Sequence, residues 1–150
     1  MSITTQPELL TAASNWLNRS DLSGRLEEVI AIAEAGFNRR LRTRDQMTRS
    51  TTSATTQYVS PDGTYTLQIQ YFAKVPALTS SNTTNWLLTS HPDAYLYSTL
   101  MAAEPFLMND ARLQTWASLS EKAIQEIVDA DDASRYAGGT LAARPITTYS

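Results

Sequence analysis

The 150-residue sequence contains no cysteine and a single histidine, His91. That inventory excludes disulfides, thiolate metal sites and cysteine nucleophiles, and any metal site built on several histidines. Glycine (5) and proline (6) are scarce, which argues against a collagen-like or loop-only chain. Charged residues are few, 18% against about 25% in a typical domain. Fifteen serines and 20 threonines take their place. No apolar run approaches the roughly 20 residues needed to span a bilayer. Met1 to Thr5 has neither a basic start nor an apolar centre, so no signal peptide is expected. The net charge of −3 is too mild for a whole-surface preference for nucleic acid or acidic lipid. Apolar residues make up 42%, in a length that suits one compact domain with a real core.

Residues 1–44 read as two helices, about 6–19 and 21–43, joined closely enough to form a hairpin. Thr5-Gln6-Pro7-Glu8 is a capping box, followed by Leu9, Leu10, Ala13, Trp16 and Leu17 at helical spacing. Ser20 and Asp21 stop that helix and offer a cap for the next. Leu22, Leu26, Val29, Ile30, Ala33, Phe37 and Leu41 then mark one buried face. From Gln46 to Ser60 the chain changes character, with eight Ser or Thr among fifteen residues. Ser60-Pro61-Asp62-Gly63 is a turn signal. After it, Tyr65, Leu67, Ile69 and Tyr71 alternate with polar residues, the period of a half-buried strand. The spacing predicts a β-hairpin over about 50–72, which alone is marginal in water and needs a neighbour. A polar connector from Pro76 to His91 carries Asn85-Trp86-Leu87-Leu88 as an anchor or short helical turn. Helices over about 92–107 and 109–136 follow, the second about 42 Å long at about 1.5 Å per residue. Gly138-Gly139 ends it. The expected fold is mainly α: a bundle of about four helices with one inserted β-hairpin. Residues 1–139 form one domain and residues 140–150 an extended C-terminal tail.

Little in this chain points to catalysis. Ser90-His91-Pro92-Asp93 has triad-like residue types, but sequence neighbours point in different directions, and His91 fits a local bond before a helix. No G-x-S-x-G, P-loop or G-x-G-x-x-G occurs. Asp129, Asp131 and Asp132 lack the glycine and final glutamate of an EF-hand and read as a solvated acidic end. No catalytic residue, cofactor or metal site is assigned. Trp16, Trp86 and Trp116 read as core or interface anchors. Tyr95 and Tyr97 flank Leu96, so one of the pair is expected to face away from the core, as at a subunit interface. The conspicuous cluster is Arg39, Arg40, Arg42, Arg44 and Arg49. It fits a phosphate-facing patch, an anchor for an acidic partner, or a helix C-terminus whose dipole favours cations. Residues 1–90 carry 8 basic and 7 acidic side chains, residues 91–150 carry 4 and 8. That split permits head-to-tail pairing of copies, which closes into a ring when the rotation allows.

Several segments carry a family likeness: Asn15-Trp16-Leu17-Asn18-Arg19, Ile32 through Arg44, Tyr71-Phe72-Ala73-Lys74-Val75-Pro76-Ala77-Leu78, Thr84-Asn85-Trp86-Leu87-Leu88, and His91-Pro92-Asp93-Ala94-Tyr95-Leu96-Tyr97. Together, over roughly residues 8–136, they resemble the head–tail adaptor proteins of tailed bacteriophages, those of short-tailed phages in particular. One departure is that about 25 residues stand where such adaptors carry a longer β-rich insert. The resemblance implies a non-enzymatic structural protein of the virion neck, made in the cytoplasm of the infected bacterium. About a dozen copies would ring the underside of the portal protein, extend its DNA channel and offer a platform to the tail or nozzle. Double-stranded DNA would pass without sequence-specific binding, and no membrane is involved.

Within that frame Leu141, Arg144, Pro145, Ile146 and Tyr149 are the candidates for portal docking, because an extended segment orders on binding. Arg39, Arg40, Arg42, Arg44, Tyr58 and Tyr65 are the candidates for contact with a neighbouring subunit or the tail. Two other readings stay open: a stopper or tail-completion protein, and a nucleic-acid-binding regulator using the arginines at 39–49.

Overall fold

The computed structural model describes residues 3–19, 21–54, 65–107 and 110–136. Five helices and one antiparallel hairpin follow in chain order: α1 (Gln6–Leu17), α2 (Ser23–Arg40), β1 (Met47–Ala54), β2 (Tyr65–Phe72), α3 (Trp86–Ser90), α4 (Pro92–Leu107) and α5 (Asp110–Tyr136). The chain is thus mainly helical with an inserted hairpin, as the periodicities indicate. α4 is the central helix, packed against α1, α2, α3 and α5.

α1 starts as its sequence demands. The Glu8 carboxylate accepts the backbone N–H groups of Thr4 at 2.8 Å and Thr5 at 3.0 Å. Those bonds hold its pKa below the usual value, the Thr4 N–H first. The helix ends at Leu17, two residues short of the expected 19. Asn18 takes the left-handed conformation at φ 53°, which asparagine tolerates better than most residues. α2 is shorter at both ends than 21–43. Asp21 does not cap it; its carboxylate takes both Arg19 Nε (2.8 Å) and Nη2 (2.7 Å). That bidentate bond draws the Asp21 pKa down to about 2. Leu22 takes the N-cap position with no side-chain bond. At the far end Leu41 is extended, and a 3-10 turn at Arg44–Gln46 leads into β1 at Met47, earlier than the expected 50.

The apolar face read along α2 is the one buried: Leu22, Leu26, Val29, Ile30, Ala33, Phe37 and Leu41. It packs on α4, with the Phe37 and Tyr95 rings edge-on at 4.9 Å. The connector after β2 is strapped to α2 by two side chains. Asn38 Oδ1 accepts the Val75 N–H at 2.8 Å, and Glu34 Oε1 accepts the Leu78 N–H at 2.8 Å. Glu34 also accepts the Tyr95 hydroxyl at 3.2 Å, and that hydroxyl accepts from Asn85 Nδ2 at 2.7 Å. Asn85 Oδ1 in turn accepts the Leu88 N–H and caps α3. Burial raises the pKa of Glu34, with the Leu78 N–H pulling the other way. Burial likewise raises that of Tyr95.

Glu104 lies buried near the end of α4, which runs on through Pro105 to Leu107. Its Oε1 accepts Trp116 Nε1 at 2.9 Å and stands 3.4 Å from Arg112 Nε. Its Oε2 is buried with no hydrogen bond among the described residues.

The hairpin pairs in strict register, from Met47 opposite Phe72 to Ala54 opposite Tyr65. The alternation in β2 predicts burial of one face, and that expectation fails. Leu67, Ile69 and Tyr71 are all about half exposed, and every described side chain of both strands is exposed. Among the described residues no helix lies over them.

Candidate assembly interface

The structure divides the arginine cluster into separate tasks. Arg39 and Arg40 occupy the last turn of α2, where the carbonyl end of the helix favours cations. Arg40 pairs with Glu121 of α5. Arg42 Nη1 donates to the carbonyls of Asn38 (2.9 Å) and Leu41 (2.7 Å), closing the helix end. Arg44 reaches Asp131 with its backbone N–H (3.1 Å) and its Nε (3.3 Å), and also touches Ser134. Arg135 joins the same carboxylate at 2.7 Å and donates to the Arg42 carbonyl at 2.8 Å. Burial works to raise the Asp131 pKa, but the Arg44 N–H and the Arg135 guanidinium outweigh it, and the net shift is downward. Arg40 and Arg44 therefore join α2 and its trailing loop to α5. Arg39 and Arg49, both exposed, form no ion pair or hydrogen bond among the described residues.

At the acidic end of α5, Asp129 and Asp132 are exposed, as a solvated end would be, and Asp131 is engaged. Asp131 sits between two arginines, and Asp129 accepts Gln125 Nε2 at 2.8 Å. Among the described residues no three His, Asp or Glu side chains group as a metal site would require. His91 closes α3 through its own N–H on the Leu87 carbonyl at 2.8 Å, the local role its position suggests.

The aromatic side chains depart from expectation at one point. Tyr95 and Leu96 are both buried, and Tyr97 does not turn outward alone. Its ring stacks on Trp116 at 6.5 Å, and Trp16 meets Trp116 edge-on at 5.6 Å. Trp16 itself is 48% exposed, Trp86 is half-buried and Trp116 is buried. Tyr65 begins β2 opposite Ala54. Tyr58 and the candidates Leu141, Arg144, Pro145, Ile146 and Tyr149 lie outside the described residues.

Beyond the hairpin face, one apolar surface escapes a reading of the sequence: a groove where α2, α4 and α5 meet, about 120 Å³ in volume, lined largely by Ile32, Gly36, Met101, Ala102 and Ile124, with Arg39 also in its lining. No window of sequence contains it, because each helix supplies only one or two of its walls. Ile32 was the available signal, a large apolar residue off the buried face of α2, and it is 59% exposed.

Against known proteins, residues 56–144 match the family described as SU10 adaptor protein, more than half of the chain. The match takes in β2, α3, α4 and α5 and leaves out α1, α2 and β1. The Asn15–Arg19 and Ile32–Arg44 segments of the resemblance therefore lie outside it. No curated protein matches the chain. Among the described residues no helix is long and apolar enough to cross a membrane.

Proposed function

The chain belongs to the SU10 adaptor protein family of phage head–tail adaptors, and from that premise we propose that it forms a ring in the virion neck. About a dozen copies sit beneath the portal, extend its DNA channel and carry the tail or nozzle, in a closed set of heterologous contacts. The family match carries this reading. The unpartnered hairpin supports it, since an isolated two-stranded ribbon with an apolar face is marginal until something covers it. Residues 140–150, with Leu141, Arg144, Pro145, Ile146 and Tyr149, dock along the portal.

The arginine zone favours a protein contact over a phosphate track. Arg40 and Arg44 are already paired within the chain, which leaves few free cations to face DNA. A lumen with few free cations also lets DNA pass without holding it.

Mass determination and negative-stain imaging of the protein, alone and mixed with the portal ring of its phage, test the proposal. A cap on one pole of the portal is the expected result. A folded chain that leaves an intact portal bare overturns it and favours a stopper. Truncation after Gly139 should leave thermal unfolding unchanged and abolish the cap; a cap formed by the truncated chain refutes the tail assignment.

A further inference from the structure

We propose that the Leu67–Ile69–Tyr71 face of one copy's hairpin docks into the α2/α4/α5 groove over Gly36 of the next copy. The proposal deepens the adaptor reading and rests on it, because it names the contact that joins neighbours in the ring.

The donor surface is defined by register. Leu67, Ile69 and Tyr71 share one face with their cross-strand partners Thr52, Ser50 and Thr48. An apolar column thus runs beside a hydroxyl column, with no charge on that face. The apolar column spans about 13 Å at about 3.3 Å per residue, and Ile69, its centre, is 51% exposed. Nothing among the described residues covers it.

The receiving surface is defined by a glycine. Gly36 lies inside α2, where glycine is a poorer helix former than alanine. A close neighbour or a left-handed backbone would account for it, but neither is present. A Cβ built at Gly36 meets nothing within 4 Å, and its φ is not positive. Among the described residues the bare backbone therefore serves no packing need, and it lines the groove with Ile32 and Met101. The volume of about 120 Å³ is close to the roughly 150 Å³ cavity that accepts benzene in an engineered core. One branched aliphatic side chain or one ring fills such a space.

Charge and number select a second copy as the occupant. Arg49 is the one charged residue among the hairpin's strand residues, and it stands on the opposite face from Ile69. The lining of the groove is mainly apolar: its two serine hydroxyls, Ser98 and Ser120, bond to each other, Arg40 is paired with Glu121, and Arg39 is the lining cation with no pair among the described residues. An uncharged, apolar knob fits the greater part of that lining. Donor and receiver are different patches present once on every copy, which is the requirement for a heterologous contact that propagates and closes. One hairpin face covers roughly 250 Å², at about 26 Å by two strand spacings. That is well below the roughly 800 Å² per partner of a stable pair. The contact should therefore be weak between two free copies and consolidated when a ring closes on the portal.

The absence of cysteine makes the test clean. Ile69→Cys and a tagged Gly36→Cys are made as separate full-length chains, mixed, and treated with a short bis-maleimide, with and without the portal ring. The control pair is Ile69→Cys with tagged Glu27→Cys, an exposed position on the opposite side of α2. The 36–69 adduct should exceed the 27–69 adduct by about tenfold, because a held contact raises the local concentration. Equal yields from chains that still cap the portal overturn this contact and leave the adaptor reading intact. A dominant 69–69 adduct overturns it in favour of hairpin-to-hairpin pairing. A 36–69 adduct without a cap keeps the contact and refutes portal docking. Neither adduct nor cap refutes both. Gly36→Leu, which fills the groove, should preserve thermal unfolding and lose the cap; a normal cap would also overturn the proposal.

Discussion

β2 and α4 carry similar apolar side chains and treat them in opposite ways. In α4, Tyr95, Leu96 and Leu100 are buried in the helical core, and the Tyr95 hydroxyl is tied to Asn85 and Glu34. In β2, Leu67, Ile69 and Tyr71 stand about half exposed beside a row of hydroxyls. A helical stripe can find its cover within the chain, because four other helices pack against α4. A two-stranded ribbon has two faces and, here, no layer on either. The bundle buries its apolar stripe within one copy; the hairpin leaves its apolar face exposed.

The largest effect that would sharpen this contrast is a core deletion. Phe37→Ala should cost about 3–5 kcal/mol in chemical denaturation, through lost transfer energy and the cavity left against Tyr95. A loss below about 1 kcal/mol would mean that the bundle is not the stable half of the molecule. Trp116→Phe should cost less, about 1–3 kcal/mol, by removing the donor to the buried Glu104 carboxylate.

Glu34→Gln should act on pH dependence more than on stability. The folded chain holds the Glu34 proton above the ordinary carboxylate range, so the unfolded chain releases it first. The stabilisation is therefore present below that range and declines as pH rises through it toward the raised value. The glutamine variant should flatten that decline in a series of denaturation curves; an unchanged slope would assign the decline to other groups.

The smallest effect on the single chain, and the sharpest test of the contrast, is Leu67→Ser with Ile69→Ser. Its denaturation midpoint should stay within about 0.5 kcal/mol of the parent, while assembly on the portal fails. A large destabilisation would show that the hairpin supports the bundle after all.

The helices were legible because their partners repeat every three or four residues. The apolar line from Leu22 to Leu41 needed no knowledge of what lay opposite. The caps were less so: Asp21 has the right side chain for a cap, but Arg19, two residues away, captured it. The straps from Asn38 to Val75 and from Glu34 to Leu78 cross 37 and 44 residues, beyond any local pattern. For β2, alternation identified the strand and its apolar face, but not whether this chain or another covers that face. The arginine cluster was visible as composition. Its division into a helix end, a seam with α5 and two free cations depended on α5 lying alongside.

The straps on α2 have a mechanical consequence. β1 leaves the bundle from the turn at Thr43–Gln46, where buried Gln46 accepts the Thr43 N–H at 3.2 Å. β2 returns beside it, with the Ala73 N–H on the Gln46 carbonyl at 2.7 Å. The next residues are fastened to Asn38 and Glu34 on the helix itself. A pull on the hairpin thus reaches α2 as shear along several hydrogen bonds loaded together, not as a peel that opens them one at a time. The ribbon is thus a cantilever clamped at its root, so that a load on its strands is carried into the helical body through the joint from which it springs.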